Sequence, residues 1–210
     1  MVKNVLIICM GNVGRSPLVA AALEEELRTS GINVMSRGLR EPSTIKKIKT
    51  ANPELLKLLE ALAARKEKVA GKSPEALLAA LNKHSPKVAS AAEVEKADLI
   101  IVMSPSLLSE LKEKFGAKVQ NLGAKSFTAR EYISKNVYSR NPRFLKGKRG
   151  RVVDQVYYDR EQKKWRPKPG VIVSKKVGLV IPHPVLKKHL SEGIRIGRAI
   201  GGHLKRQIRK

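Results

Sequence analysis

The run Val5-Leu6-Ile7-Ile8-Cys9-Met10-Gly11-Asn12-Val13-Gly14-Arg15-Ser16-Pro17 decides how this chain of 210 residues is read. Its apolar start reads as a strand, the small residues after Cys9 as a loop, and the helix formers from Leu18 to Leu27 as a helix that stops near Gly31. Ser16 is expected as the N-cap of that helix and Pro17 as its first residue. Gly11 and Gly14 are expected to supply the positive φ values of the turn.

A loop between a strand and a helix N-terminus aims several backbone N–H groups at one point, and such a point binds an oxyanion. A thiol placed there is held in its charged form by those groups, by the helix terminus and by a neighbouring guanidinium. Cys9 is therefore the expected nucleophile. Arg15 has the planar fork that grips two phosphate oxygens and the charge that offsets a phosphoryl transition state. Gly11, Asn12, Val13, Gly14, Arg15 and Ser16 form the expected phosphate-binding set. The implied reaction is phosphoryl transfer through a cysteinyl-phosphate.

Outward from this run, strands and helices alternate. Further stretches rich in apolar residues follow at 32–35 and 97–103. Helical spacing covers 53–62 and 73–81, Ser104-Pro105 opens another helix that stops near Gly116, and the last helix runs over about 185–208. The order predicts an α/β fold: a four-stranded parallel sheet with helices on both faces and the anion loop at the carboxyl end of the first strand. Gly193, Gly197, Gly201 and Gly202 weaken the last helix, and the sequence offers no reason for them.

The compound pattern of Cys9, Gly11, Asn12, Arg15, Ser16 and Pro17 between strand and helix resembles the signature of the low-molecular-weight protein tyrosine phosphatases. The resemblance extends over residues 1–122 and the C-terminal helix, and it implies that Ile32 to Met35 with the Ser36-Arg37-Gly38 that follows, 97–103 and 118–122 are the second, third and fourth strands. It implies a phosphomonoester hydrolase with Cys9 as nucleophile, and gives Asn12, Ser16 and Ser36 the task of ordering the loop. Two departures stand out. The family often carries a second cysteine just before its arginine, where this chain has Gly14. With one cysteine, a disulfide within the loop is impossible, and an arsenate-reductase chemistry lacks its resolving thiols. The family's general acid is an aspartate followed by proline, and the matching place reads Ile181-Pro182-His183-Pro184. His183 is then the candidate acid, since a histidine can protonate a leaving group near neutral pH. The other readings are a loop histidine without a chemical role, or Asp154 or Asp159 entering from elsewhere. The tyrosine pair that often follows the family aspartate is Val185-Leu186 here, which leaves the substrate open beyond a phosphate-bearing molecule.

Net charge is +25. Residues 1–124 hold 19 Lys and Arg against 13 Asp and Glu, and residues 125–210 hold 24 against 5. Seven of the eight aromatic residues fall in the second part too. The basic aromatic stretch 123–180, of irregular or β structure, reads as an insertion into the phosphatase-like domain formed by 1–122 and 181–210. Its candidate nucleic-acid contacts are Arg140, Arg143, Lys146, Lys148, Arg149, Arg151, Lys163, Lys164, Trp165, Arg166 and Lys168. Cations neutralise phosphates and aromatic or guanidinium planes stack on bases, so RNA or a ribonucleoprotein such as the ribosome is the expected partner. A basic surface also serves solubility or an acidic protein, and aromatics also build small cores, with Val156-Tyr157 and Val171-Ile172-Val173 as possible hairpin strands. The alternative to an active enzyme is a catalytically weak or inactive phosphatase fold that acts as an RNA-binding or ribosome-associated structural component.

The first residues read as a strand rather than a signal peptide, and no run approaches the length of a membrane span. With a single cysteine, the cytoplasm is the expected compartment. His84, His189 and His203 lie apart from any ligand cluster, so neither metal nor cofactor is implied.

Overall fold

Every side chain from Val5 to Ile8 is fully buried, which puts the first strand at the centre of a sheet covered on both faces. The computed structural model describes residues 2–41, 51–138, 156–159, 164–167, 172–174, 178–180 and 183–208, with the strands between 156 and 180 and residues 183–187 given by their backbone. Along the chain come β1 (Asn4–Cys9), α1 (Arg15–Leu27), β2 (Asn33–Gly38), α2 (Pro53–Ala64), α3 (Pro74–Asn82), α4 (Ala91–Lys96) and β3 (Leu99–Val102). These are followed by α5 (Pro105–Phe115), α6 (Leu122–Lys125), β4 (Ser126–Thr128) and α7 (Ala129–Ile133), which runs on into a π-helical turn, Ser134–Tyr138. The last elements are β5 (Val156–Asp159), β6 (Lys164–Pro167), β7 (Ile172–Ser174), β8 (Gly178–Val180) and α8 (His183–Ile208).

The main sheet has the order β2-β1-β3-β4, and every pair is parallel. The chain moves from β1 to one side and then crosses back to β3 on the other. That reversal opens a crevice at the carboxyl ends of β1 and β3, where open α/β sheets bind ligands. The loop after β1 lies there.

Alternation along β1 divides the core. Val5 and Ile7 join Val19, Leu23, Ile101 and Ile200 on the face covered by α1 and α8. Leu6 and Ile8 join Ile100, Val102, Leu107 and Leu111 on the face covered by α4 and α5. Each such side chain contributes on the order of 1.5–3 kcal/mol by leaving water. A third cluster, built from Leu55, Leu59, Leu77, Leu81 and Leu190, binds α2 and α3 to α1 and α8. Asn52 starts α2 by accepting from Glu54 N at 2.9 Å, and Ser90 with Glu93 closes a capping box on α4.

Two expectations from the sequence are corrected here. The fourth strand is Ser126–Thr128 rather than 118–122. Asn121 adopts φ 54°, which breaks the extended run, and Val119 and Leu122 pack as turn and helix residues against the α5 side of the core. The segment from 123 onward is consequently not all insertion: β4 belongs to the main sheet, and Ala129, Tyr132 and Ile133 belong to its core. Burial pushes the Tyr132 hydroxyl up to about 12, and its ring meets Phe127 and His203 edge-on, each at 5.8 Å. Further along, β5 pairs with β6 and β7 with β8, forming two antiparallel ribbons. In the first, Tyr158 is the cross-strand partner of Trp165.

The glycines of α8 acquire a reason in its packing on α1. A Cβ on Gly193 would stand 2.5 Å from Leu18 Cδ2, one on Gly197 2.9 Å from the Val19 carbonyl oxygen, and one on Gly201 2.6 Å from Glu26 Cβ. Spaced by four, these three make a groove into which α1 fits in parallel register. Gly202 faces away, with only the Arg206 guanidinium at 3.7 Å. Gly197→Ala should therefore lower stability by about 1–3 kcal/mol through backbone overlap. Gly202→Ala should raise it by up to about 1 kcal/mol through helix propensity. Denaturant midpoints of the two variants, measured side by side, check the pair.

Candidate functional site

Loop residues 10–14 join the end of β1 to the first turn of α1, and four of their carbonyls have hydrogen-bond partners. Met10 O accepts from Leu39 N at 2.9 Å and Arg40 N at 3.0 Å, Val13 O from Asn52 N at 2.8 Å, and Gly14 O from Leu18 N at 3.3 Å. Asn12 O lies 2.7 Å from His84 Nε2, which as an N–H donates to it. In a trans peptide the N–H points opposite to the C=O, so a carbonyl bonded away from the concave side of the loop turns its amide toward that side. The sequence predicts an anion nest here, and these contacts are compatible with one.

Asn12 is fully buried and carries the left-handed turn at φ 56°. Its Nδ2 donates to Ser16 Oγ at 3.1 Å and to Ser36 Oγ at 3.0 Å, and its Oδ1 accepts from Lys87 N at 3.0 Å. Gly11 and Gly14, expected to take positive φ, do not; among the described residues the positive-φ glycines are Gly31 and Gly71. Asn tolerates this region because its short amide finds partners locally. Ser16, expected as N-cap, is the second residue of α1, whose N-cap is Gly14. Its hydroxyl is fully buried and donates instead to Cys9 Sγ at 2.9 Å, while accepting from Asn12. Cys9 itself is 3% exposed at the end of β1. Arg15 opens α1. One constellation thus contains Cys9, Asn12, Ser16 and Ser36, with Gly11, Val13, Gly14 and Arg15 on the same turn.

Sequence reasoning missed two supports. Gly38 ends β2 directly beneath the loop, where a Cβ would stand 3.0 Å from both Gly11 C and Met10 O. The segment around 84–89 closes the loop from outside: besides His84 and Lys87, Gly38 N donates to Lys87 O at 2.7 Å and Ala89 N to Gly38 O at 2.8 Å. A glycine at the carboxyl end of the second strand is the signal that could have revealed the first. His84 looked like a lone histidine because its partner is 72 residues away. Burial is the main force holding the His84 imidazole below its ordinary value, with Arg37 acting the same way and the Asn12 hydrogen bond opposing. Arg37 is committed to Glu93, to which Nε and Nη2 donate at 2.9 and 2.6 Å. Those bonds are the largest influence holding Glu93 below the usual carboxylate range.

The sheet order, the loop after β1 and this buried network can be compared with solved structures. A low-molecular-weight protein tyrosine phosphatase from Bacillus subtilis aligns over 99% of this chain and 100% of its own, at 17% identity and a TM-score of 0.57. A low-molecular-weight protein tyrosine phosphatase from T. tengcongensis aligns over 94% and 97%, at 19% identity and a TM-score of 0.56. This chain has the low-molecular-weight protein tyrosine phosphatase fold. A cysteine-to-serine mutant of the YwlE arginine phosphatase, with its active-site serine phosphorylated, shares that fold over 98% of this chain and 99% of its own, at 20% identity and a TM-score of 0.59. No family model matches the sequence, and no curated protein matches it.

The other expected site residues are given by their backbone or lie outside the described residues. His183 is the first residue of α8, given by its backbone. Arg140, Arg143, Lys146, Lys148, Arg149, Arg151, Lys163 and Lys168 lie outside the described residues, as does Asp154, while Lys164, Trp165 and Arg166 are on the backbone of β6. Among the described residues no group of three His, Cys, Asp or Glu gathers as a metal site, and no helix is long and apolar enough to cross a membrane.

The contacts of His84 and Gly38 with the loop each have a measurable consequence. Because His84 binds a proton less readily folded than unfolded, where it titrates near 6.5, the unfolded chain holds more protons just below that pH. Its contribution to stability is present above pH 6.5 and falls as the pH drops toward the lowered folded value. His84→Gln should flatten that part of the stability profile, measured by urea unfolding at a series of pH values. Gly38→Ala should weaken anion binding by at least about tenfold by displacing the loop backbone. Gly14→Ala, whose Cβ meets nothing within 4 Å, should leave it within about twofold. Sulfate titration of the two variants discriminates them.

Proposed function

We propose that this chain is a cysteine-dependent phosphomonoester hydrolase. The observation that carries this reading is the 2.9 Å hydrogen bond from Ser16 Oγ to Cys9 Sγ, inside a buried network that also fixes Asn12 and Ser36. A sulfur accepting from a hydroxyl at the base of an amide-lined loop is prepared to act as a thiolate. The Arg15 fork and the loop amides hold the three non-bridging phosphoryl oxygens. The sulfur lone pair then forms an S–P bond as the bond from phosphorus to the leaving oxygen breaks. Protonated His183 gives its proton to that oxygen. Water next attacks the cysteinyl-phosphate, neutral His183 removes its proton, and inorganic phosphate leaves with Cys9 restored. The phosphorylated serine of the YwlE mutant, at that protein's active site, fits the same covalent step.

The register of α8 supports His183 as the acid. Gly193 lies against Leu18 in the first turns of α1, and the helices run parallel. Residues before 189 therefore extend beyond the start of α1 on the loop side, and His183 is a further six residues out, roughly 9 Å at helical rise.

The expected outcome is hydrolysis of an aryl phosphate that is lost in Cys9→Ser and reduced at least about a hundredfold in Arg15→Ala. His183→Ala should lower kcat by about 10² to 10⁴ for a poor leaving group, have much less effect on an activated one, and remove the alkaline limb of the pH profile. No turnover by folded protein at high enzyme concentration overturns the enzyme reading. The weak or inactive phosphatase fold would then remain.

A second reading concerns partners. The excess of 24 cations over 5 anions beyond residue 124, together with Lys188, Arg195 and Arg206 exposed on α8, supports association with RNA or a ribonucleoprotein, the ribosome among them. Binding to a single-stranded RNA should weaken with salt at a log-log slope of about −0.7 per phosphate neutralised. Replacing Arg149, Arg151, Lys163 and Lys164 by Glu should weaken it more than about tenfold. Unchanged affinity in that variant overturns the assignment.

A further inference from the structure

His189 is a histidine that the loop network leaves unused, although it sits beside the loop. Its Nε2 is buried without a hydrogen-bond partner. It lies one turn before Gly193, which meets Leu18, and the parallel register carries it to the level of Arg15, the first residue of α1. The charged groups acting on it are Arg15 from α1 and Lys188 from its own helix, both cations. The other elements that pack on α8 bring no described carboxylate toward it. From α2 come Leu55, Leu58 and Leu59, while Glu54 is 3.8 Å from Lys57; α7 meets α8 around His203, well along the helix. Burial first, and the two cations after it, hold the imidazole below its ordinary value.

We propose that His189 couples occupancy of the loop to proton uptake, so that the loop grips a dianion more tightly as the pH falls. An anion on Arg15 offsets the positive field that acts together with burial to keep the imidazole neutral, and the ring takes a proton from solvent on its bare nitrogen. The bound state then carries the dianion and one added proton. By linkage, the factor by which the anion favours the proton equals the factor by which the proton favours the anion. His189 acts through Arg15 and is a positioning residue. This inference rests on the loop being a phosphate site.

Sulfate is the suitable probe because it remains a dianion across the range in which histidine titrates. Calorimetric titration between about pH 5.5 and about pH 8 should show affinity rising toward low pH by up to about tenfold per unit, the limit for one proton. In His189→Gln that slope should drop, leaving what His84 supplies. In the native chain, the NMR titration of the His189 ring should move to higher pH when sulfate is added. A ring titration unmoved by saturating sulfate overturns the coupling, as does a native slope in the variant. If the variant does not fold, the native ring titration decides. Sulfate binding without proton coupling removes this inference alone, whereas no sulfate binding at any pH removes the phosphate-site reading together with it.

Discussion

A buried amide in a left-handed backbone holds this site together. Asn12 spends both hydrogens of Nδ2 on Ser16 and Ser36, its Oδ1 on Lys87 and its carbonyl on His84. Four stretches of chain, the loop, the start of α1, the end of β2 and the approach to α4, therefore converge on one side chain. Each buried donor or acceptor left without its partner would cost about 1–3 kcal/mol, so these stretches are fixed together or not at all. The seat of Cys9 is a consequence: Ser16 can aim its hydroxyl at the sulfur because Asn12 occupies the other side of that oxygen.

A second system stands at the far end of α1 and keeps the helices in place. Glu26 meets Lys72 at 2.9 Å, Arg198 at 3.6 Å and Lys205 at 3.8 Å, and Lys72 also reaches Glu25 at 3.0 Å. Burial lowers the Lys72 ammonium, but its hydrogen bonds to Glu26 and Glu25 outweigh that and hold it above its ordinary value. Arg198 Nη1 donates to Ala70 O at 2.5 Å as well. Partly exposed pairs of this kind are individually weak, and their value here is register. They pin α8 to α1 where the glycine groove leaves no room to slide, and so set the level of His189 and His183 relative to the loop.

The loop was legible in the sequence because its chemistry is local: Cys9, Asn12, Arg15 and Ser16 lie within a single turn between a strand and a helix. The parallel sheet was legible from the order of its elements. What escaped depended on distant partners. Positive φ went to Asn12 rather than to a glycine because the amide's partners at Ser36 and Lys87 outweigh the intrinsic preference. Ser16 left its capping role because a sulfur lies within reach, a fact of the fold. The fourth strand was misplaced because Val119 and Leu122 have a strand's composition, while Asn121 turns the chain. The glycines of α8 made no sense within their own helix and acquire it only against Leu18, Val19 and Glu26.

Since Cys9 is the one cysteine of the chain and is 3% exposed, the molecule carries its own gauge of loop opening. An alkylating reagent finds one target per chain. Unfolded chains consume it at once, and the native protein consumes it at the rate at which its nearly buried sulfur is reached. A thiol-labelled product maps to this one position, and the labelling half-life measures access to the sulfur.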